Sequence, residues 1–198
     1  MKRLLALVFV LGVAAVAFGP CGGGKSTAEK AQDLINTGLQ QQADGKLDEA
    51  TATYRAVLKI DPQNKFAYYN LGVIDQGAGR HDAAENNYRL ALGIDPNFTS
   101  ALYNLAILRT AAGYPVDSIA LYRQVIAIDS KNANAHLNLG LLLRDNGAPD
   151  DGIAEIKTAA ALNPEYASRL TPVAGQTPAP ATTPTESGTP LAGTTPAR

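Results

Sequence analysis

Residues 19–26 read Gly-Pro-Cys-Gly-Gly-Gly-Lys-Ser, which satisfies GxxxxGK[ST] letter for letter. That pattern serves phosphate binding: backbone N–H groups nest around the phosphate oxygens, Lys25 meets the terminal phosphates and Ser26 a magnesium ion. It works only where its strand lies in a parallel sheet and an acidic residue on another strand completes the metal site. Few other side chains have the makings of a reactive group. Cys21 is the sole cysteine, which excludes an intrachain disulfide and any CxxC metal or redox pair. His81 and His136 lie far apart in the chain without a carboxylate or thiol cluster between them, so ordinary surface or packing use is expected, not a metal or catalytic role. What recurs is an amide. Asn36, Asn70, Asn104 and Asn138 are evenly spaced, and each can offer a peptide backbone both a donor and an acceptor.

The elements that would carry those amides keep the same step. Pro62, Pro96, Ser130 and Pro164 share it, as do Gly45, Gly79, Gly113 and Gly147. Small residues repeat at Gly38, Gly72, Ala106 and Gly140, and again at Ala50, Ala84, Ser118 and Gly152. A constant step of this length marks a repeat array whose units stack. In the first unit, 31–64, Ser26-Thr27-Ala28-Glu29 has capping-box spacing and predicts a helix from Thr27 to about Ala43. Gly45-Lys46 turns the chain, and Ala50, Tyr54, Val57, Leu58 and Ile60 share helical spacing between Leu47 and the stop at Asp61-Pro62. Pro115 and Pro149 open the second helices of the units 99–132 and 133–166, where a missing N–H costs little. Helices across residues 31–166 leave no sheet for the phosphate pattern, so nucleotide binding by Gly19 to Ser26 ranks lowest among the functional readings.

The second unit, 65–98, resembles a tetratricopeptide repeat: Tyr68, Leu71, Gly72, Gly79, Ala84, Tyr88, Ala91 and Pro96 fill that family's landmark places. The usual tryptophan is absent, with Leu34, Tyr68, Leu102 and His136 in its place. The resemblance extends over four consecutive units, from Ala31 to Tyr166. It implies an all-α fold, a right-handed superhelical solenoid of four helix-turn-helix repeats. It also implies a groove lined by the first helix of each unit. The matching positions are Ile35, Asn36 and Leu39; Phe66, Tyr69, Asn70 and Val73; Tyr103, Asn104 and Ile107; then Asn134, Leu137, Asn138, Leu141 and Arg144. Related co-chaperone domains hold a terminal carboxylate with Lys and Arg from this groove. Gln32, Phe66, Ser100 and Asn134 stand where that clamp wants Lys, so the expected ligand is an extended neutral or apolar peptide.

Both ends differ in composition from the repeats. Lys2-Arg3 precedes an uncharged apolar run from Leu4 to Phe18, the order of an export signal, and residues 1–21 read as signal peptide or membrane anchor. As a helix the run measures roughly 22 Å, short of the roughly 30 Å hydrocarbon core. Cys21, followed by three glycines, resembles the lipid-modified cysteine of bacterial lipoproteins, although Pro20 and Phe18 depart from that family's usual residues. Lipidation at Cys21 and an uncleaved signal anchor stay open. Either tethers the repeats to the outer face of the cytoplasmic membrane, with residues 22–30 as linker and start of the first helix. Residues 171–198 hold 8 Thr and 6 Pro with Glu186 and Arg198 as the only charged side chains. This composition predicts a disordered, partly extended tail, either a glycosylated or wall-traversing linker or a plain solubilising one. Before this tail only Glu165 to Leu170 are on offer as a cap, so Ile153 and Ile156 are expected on an underprotected outer face.

A net charge of -1, with 17 Lys and Arg against 18 Asp and Glu, gives no footprint for nucleic acid. The sequence therefore reads as a tethered, non-catalytic protein-interaction scaffold, with no cofactor and no metal. A structural role, in which copies of the chain assemble through the uncapped end, is the rival.

Overall fold

The computed structural model describes residues 24–170, all helix and connecting turn, with no strand among them. The apolar run, Cys21, the first five residues of the glycine-rich pattern and the Thr/Pro segment lie outside the described residues. The described residues divide into two compact units, one ending at Ser130 and the other beginning at Lys131. The first carries three helical hairpins: α1 (Thr27–Ala43) with α2 (Leu47–Ile60), α3 (Lys65–Gly77) with α4 (His81–Ile94), and α5 (Thr99–Ala111) with α6 (Pro115–Ile128). The second carries one hairpin, α7 (Ala133–Asp145) with α8 (Pro149–Leu162), and a 3-10 turn, η1 (Pro164–Leu170).

Helix ends follow local chemistry. Ser26 caps α1 by accepting from the Glu29 N–H at 3.2 Å, while the Glu29 carboxylate accepts from the Ser26 N–H at 2.7 Å. These bonds hold the Glu29 carboxyl below the usual carboxylate range. Asn64 and Asn132 cap α3 and α7, each accepting a backbone N–H at 3.0 Å. Within every hairpin the turn passes through a left-handed residue, with φ of 75°, 73°, 79° and 90° at Gly45, Gly79, Gly113 and Gly147. Only glycine adopts that conformation freely, which explains the fourfold spacing seen in the sequence.

Inside the hairpins one contact repeats. Tyr54 and Tyr88 are fully buried, and their rings lie where Gly38 and Gly72 lack a side chain: a Cβ there would approach the ring carbons to 2.6 Å. In the third hairpin Ala106 and Tyr122 hold the same register. The fourth replaces the ring with Ile156, and its helices are close enough that a Cβ on Gly152 would meet the Gly140 carbonyl and the Arg144 N–H at 2.6 Å. Each buried hydroxyl finds an acceptor, Tyr54 on Gln42 at 3.0 Å and Tyr88 on Gln76 at 2.6 Å. Successive hairpins of the first unit then share cores: Ala67, Leu71 and Ile74 of α3 join the α1–α2 cluster, and Ala101, Leu105 and Leu108 of α5 join Tyr88 and Ala91 of α4.

The second unit corrects one expectation. Ile156 is buried inside the α7–α8 hairpin, because it fills the space left by Gly140. Ile153 does face outward, at 38% exposure. The 3-10 turn packs along α8, and the Tyr166 hydroxyl donates to Asn134 Oδ1. His136 is buried as well, its Nδ1 2.6 Å from the Glu155 carboxylate across the hairpin, which is a packing role.

Glycine substitutions should separate these environments. Gly152→Ala forces backbone apart and should lose about 1–3 kcal/mol of stability, whereas Gly93→Ala, at an open helical site, should gain about 0.5–1 kcal/mol; urea denaturation measures both. Burial raises the Tyr54 hydroxyl to about 12 and raises that of Tyr88 further. An unfolded tyrosine ionises near about 10, so above that pH the unfolded state releases its protons first. Stability should be level below about pH 10 and fall as the pH rises toward about 12, with a shallower fall in Tyr54→Phe, followed by circular dichroism.

Candidate functional site

The face built by the first helices of the first unit gathers its aromatic side chains between the second and third hairpins. Phe66, near the start of α3, is 45% exposed and meets Phe98 edge-on with ring centroids 5.5 Å apart. Tyr69, one helical turn later, lies 5.1 Å from Phe98 and 5.9 Å from the buried Tyr88. From α5, Asn104 Nδ2 donates to both the Tyr69 and the Tyr88 hydroxyls at 3.3 Å. One amide thus ties the face of the third hairpin to the face and core of the second hairpin. Lys65 Nζ sits 5.2 Å from the centroids of both Phe66 and Phe98 and pairs with Asp95. The Lys65 bond and the Asn97 backbone N–H hold the Asp95 carboxyl below its usual range.

Phe98 is the member that the repeat register alone does not assign to this face. It precedes α5 at the position where Asn64 and Asn132 cap their helices, and a phenyl ring cannot accept the cap bond. An aromatic residue at a position whose counterparts are capping asparagines was the available signal.

The remaining expected residues divide by burial. Val73 packs half-buried against the core, Tyr103 lies 5.9 Å from Tyr122, and Ile107 is half-buried. Leu39 is 46% exposed on α1 and Asn36 is exposed beside Gln32, whose amide donates to it at 3.1 Å. Two positions face inward. Ile35 belongs to the α1–α2 core, sharing a stripe with Ala31 and Gly38, and Asn70 is buried with its amide donating to the Phe66 carbonyl at 2.8 Å. The asparagines are therefore not equivalent rungs. In the second unit, described by itself, Asn134 is exposed and accepts from Tyr166, Leu137, Asn138 and Leu141 are half-buried, and Arg144 pairs with Asp145 at 3.0 Å.

Known proteins share this run of hairpins in one register. The family described as "TPR repeat" matches residues 43–76 and 117–147, and the family described as "Tetratricopeptide repeat" matches residues 67–98. The chain is a tetratricopeptide-repeat protein. Solved structures of the same fold include MamA from Desulfovibrio magneticus RS-1, at 20% identity over 73% of this chain and 84% of that one, with a TM-score of 0.66. They include PilF of Pseudomonas aeruginosa, at 21% identity over 73% and 67%, with a TM-score of 0.66. YrrB, described as a TPR protein with an unusual peptide-binding site, is 19% identical over 69% and 71%, with a TM-score of 0.62. No curated protein matches by sequence.

Outside the tetratricopeptide face, the described end of the glycine-rich pattern does other work. Lys25 pairs with Asp33, and the Ser26 hydroxyl is engaged with Glu29 at the start of α1. Phosphate chemistry requires this loop to follow a strand, and no strand is present among the described residues. A cavity of about 370 Å3 opens between α2, α3 and α4, lined by Asp48, Arg55, Asp75, Arg80 and Asn87 among others. There Asp75 is already held by Arg80 and Asn87, each at 2.8 Å.

The unequal amides give a direct test. Asn104→Ala strips a donor from two tyrosine hydroxyls and should lose about 1–2 kcal/mol, while Asn36→Ala should stay within about 0.5 kcal/mol of the parent. Chemical denaturation of the two variants makes the comparison.

Proposed function

We propose that this chain is a non-catalytic interaction scaffold that takes an extended, largely neutral polypeptide on the first-helix face of its first unit. The observation that carries this reading is the exposed Phe66, held by Phe98 and Tyr69 beside the Asn104 amide. Half-exposed aromatic rings on rigid helices supply apolar contact at low entropy loss, and amides beside them bond to a backbone without selecting side chains. Charge supports the same ligand. Lys65 and Asp95 pair with each other, so neither is left unmatched as an ionic anchor.

The scaffold is further proposed to be exported and tethered, on the strength of Lys2-Arg3, the apolar run and Cys21. No helix among the described residues is long and apolar enough to cross a membrane, so on this reading the tether is the amino end. Intact-mass analysis of the amino-terminal peptide tests it: a lipid adduct on Cys21 or an uncleaved signal supports tethering, and a free cleaved terminus refutes it. The self-assembly reading draws on Ile153 and Leu162, which are 38% and 40% exposed on α8. Light scattering across concentrations separates a self-associating chain from a monomeric binder.

A photocrosslinker in place of Phe66 in intact cells should capture an outside polypeptide. For a captured partner, Phe66→Ala should weaken binding by at least about tenfold, with helix content unchanged. Lys25→Ala should leave that affinity untouched, and titration with ATP and magnesium should give no signal.

A further inference from the structure

The hairpins of the first unit can be compared place by place, and one junction between them is left incomplete. Where α4, α5 and α6 meet, the side chains match one another: Glu85 pairs with Arg89 at 2.9 Å and with Arg109 at 2.7 Å, and the Arg109 guanidinium lies 5.0 Å from the Tyr114 ring centroid. One repeat earlier, where α2, α3 and α4 meet, Thr51, Arg55, Asp75 and Arg80 hold the registers of Glu85, Arg89, Arg109 and Tyr114. Thr51 has no carboxylate to offer Arg55, and Asp75 is taken by Arg80 and Asn87, each at 2.8 Å. Arg55 and Asp48 are thus left without an ion-pair partner among the described residues, and both line the cavity of about 370 Å3 that opens there. We propose that this cavity binds a short peptide, of tripeptide length, by its two free termini, the carboxylate on Arg55 and the ammonium on Asp48.

Charge sets the class of ligand. Asp48 and Asp75 balance Arg55 and Arg80 in the lining, so a dipolar ligand without net charge is favoured over an ion of either sign. A guanidinium fork meets a carboxylate with two parallel bonds, and an ammonium donates to a carboxylate. Spacing sets the size. Asp48 and Arg55 are two turns apart on α2, about 10.5 Å along the helix axis, and an extended tripeptide spans about 10 Å. A free amino acid is too short to meet both. Thr51 stands between them on the same stripe, with a hydroxyl to donate to a peptide carbonyl. On α4, Asn87 commits Nδ2 to Asp75, and its Oδ1 takes no part in that contact and is left to accept a peptide N–H. Leu71 adds an apolar wall for a small side chain, and the volume lies in the range that holds small ligands. None of these residues belongs to the Phe66 face, so the two sites are tested independently.

The test is titration calorimetry of the full chain with trialanine. Binding is expected with a dissociation constant of about 0.1–1 mM, the strength that a ligand of this size reaches. Trialanine acetylated at its amino end and amidated at its carboxyl end should bind at least about tenfold more weakly, since it offers neither charge. Arg55→Gln and Asp48→Asn should each cost at least about tenfold in affinity, whereas Arg123→Gln, at the Arg55 register on α6, should cost nothing. Thr51→Glu supplies Arg55 with the carboxylate that Glu85 gives Arg89. With helix content unchanged by circular dichroism, it should weaken trialanine by at least about tenfold. No binding at millimolar trialanine, equal binding of the capped peptide, or undiminished binding to the Thr51→Glu chain would overturn the proposal.

Discussion

A large side chain seated where its partner helix has almost none is the contact on which the rest depends. Tyr54 rests against Gly38 and Tyr88 against Gly72, each at a distance that admits no further carbon. Burying such a ring contributes on the order of 2 kcal/mol, but its larger effect is geometric. It fixes how closely the two helices of a hairpin approach, because protein interiors close-pack and neither the ring nor the backbone can yield cheaply. The hydroxyls reinforce the register, since each must reach a glutamine on the facing helix or be left unpaired. In the fourth hairpin a smaller Ile156 requires a closer approach, and Gly152 with Gly140 permits it.

Once the hairpins are fixed in this way, the outward face of each first helix is left to be defined by its own sequence. Where α3 meets α5 that face is held by ring contacts and by the Asn104 amide. Its rigidity is thus inherited from the core: Tyr88 is both the ring on Gly72 and an acceptor for Asn104. A substitution in the core here would be felt at the surface without touching it.

The sequence made the hairpins legible because their requirements are local and recur. A constant step in Gly, Pro and small residues reports turns, stops and close approaches, and each is a backbone demand that few residues meet. The α1 start follows from Ser26 and Glu29 for the same reason. What the step could not report is how equal positions differ in surroundings. Asn36, Asn70 and Asn104 share a register, yet one sits beside Gln32, one turns back to its own helix and one bridges two tyrosines. Those differences arise from non-repeating neighbours. Ile35 and Ile156 were misplaced likewise, since helical spacing locates a stripe but not which of two adjacent stripes faces the partner helix.

At Phe98 the proposed binding role and a purely stabilising one can be weighed against each other. Replacing a capping asparagine forfeits about 0.5–2 kcal/mol, and each aromatic pair returns about 0.5–1.5 kcal/mol. The two contacts with Phe66 and Tyr69 therefore roughly offset the lost cap. Stability alone gives no reason to choose the ring, because Asn64 and Asn132 satisfy the same place at the starts of α3 and α7 without an apolar side chain. The ring's distinct consequence is the outward one. It holds Phe66 edge-on and partly open to water, where an apolar surface laid over it would gain contact. A local rule broken without a gain in stability, at the place where the face is most aromatic, is the feature on which the proposed binding role rests.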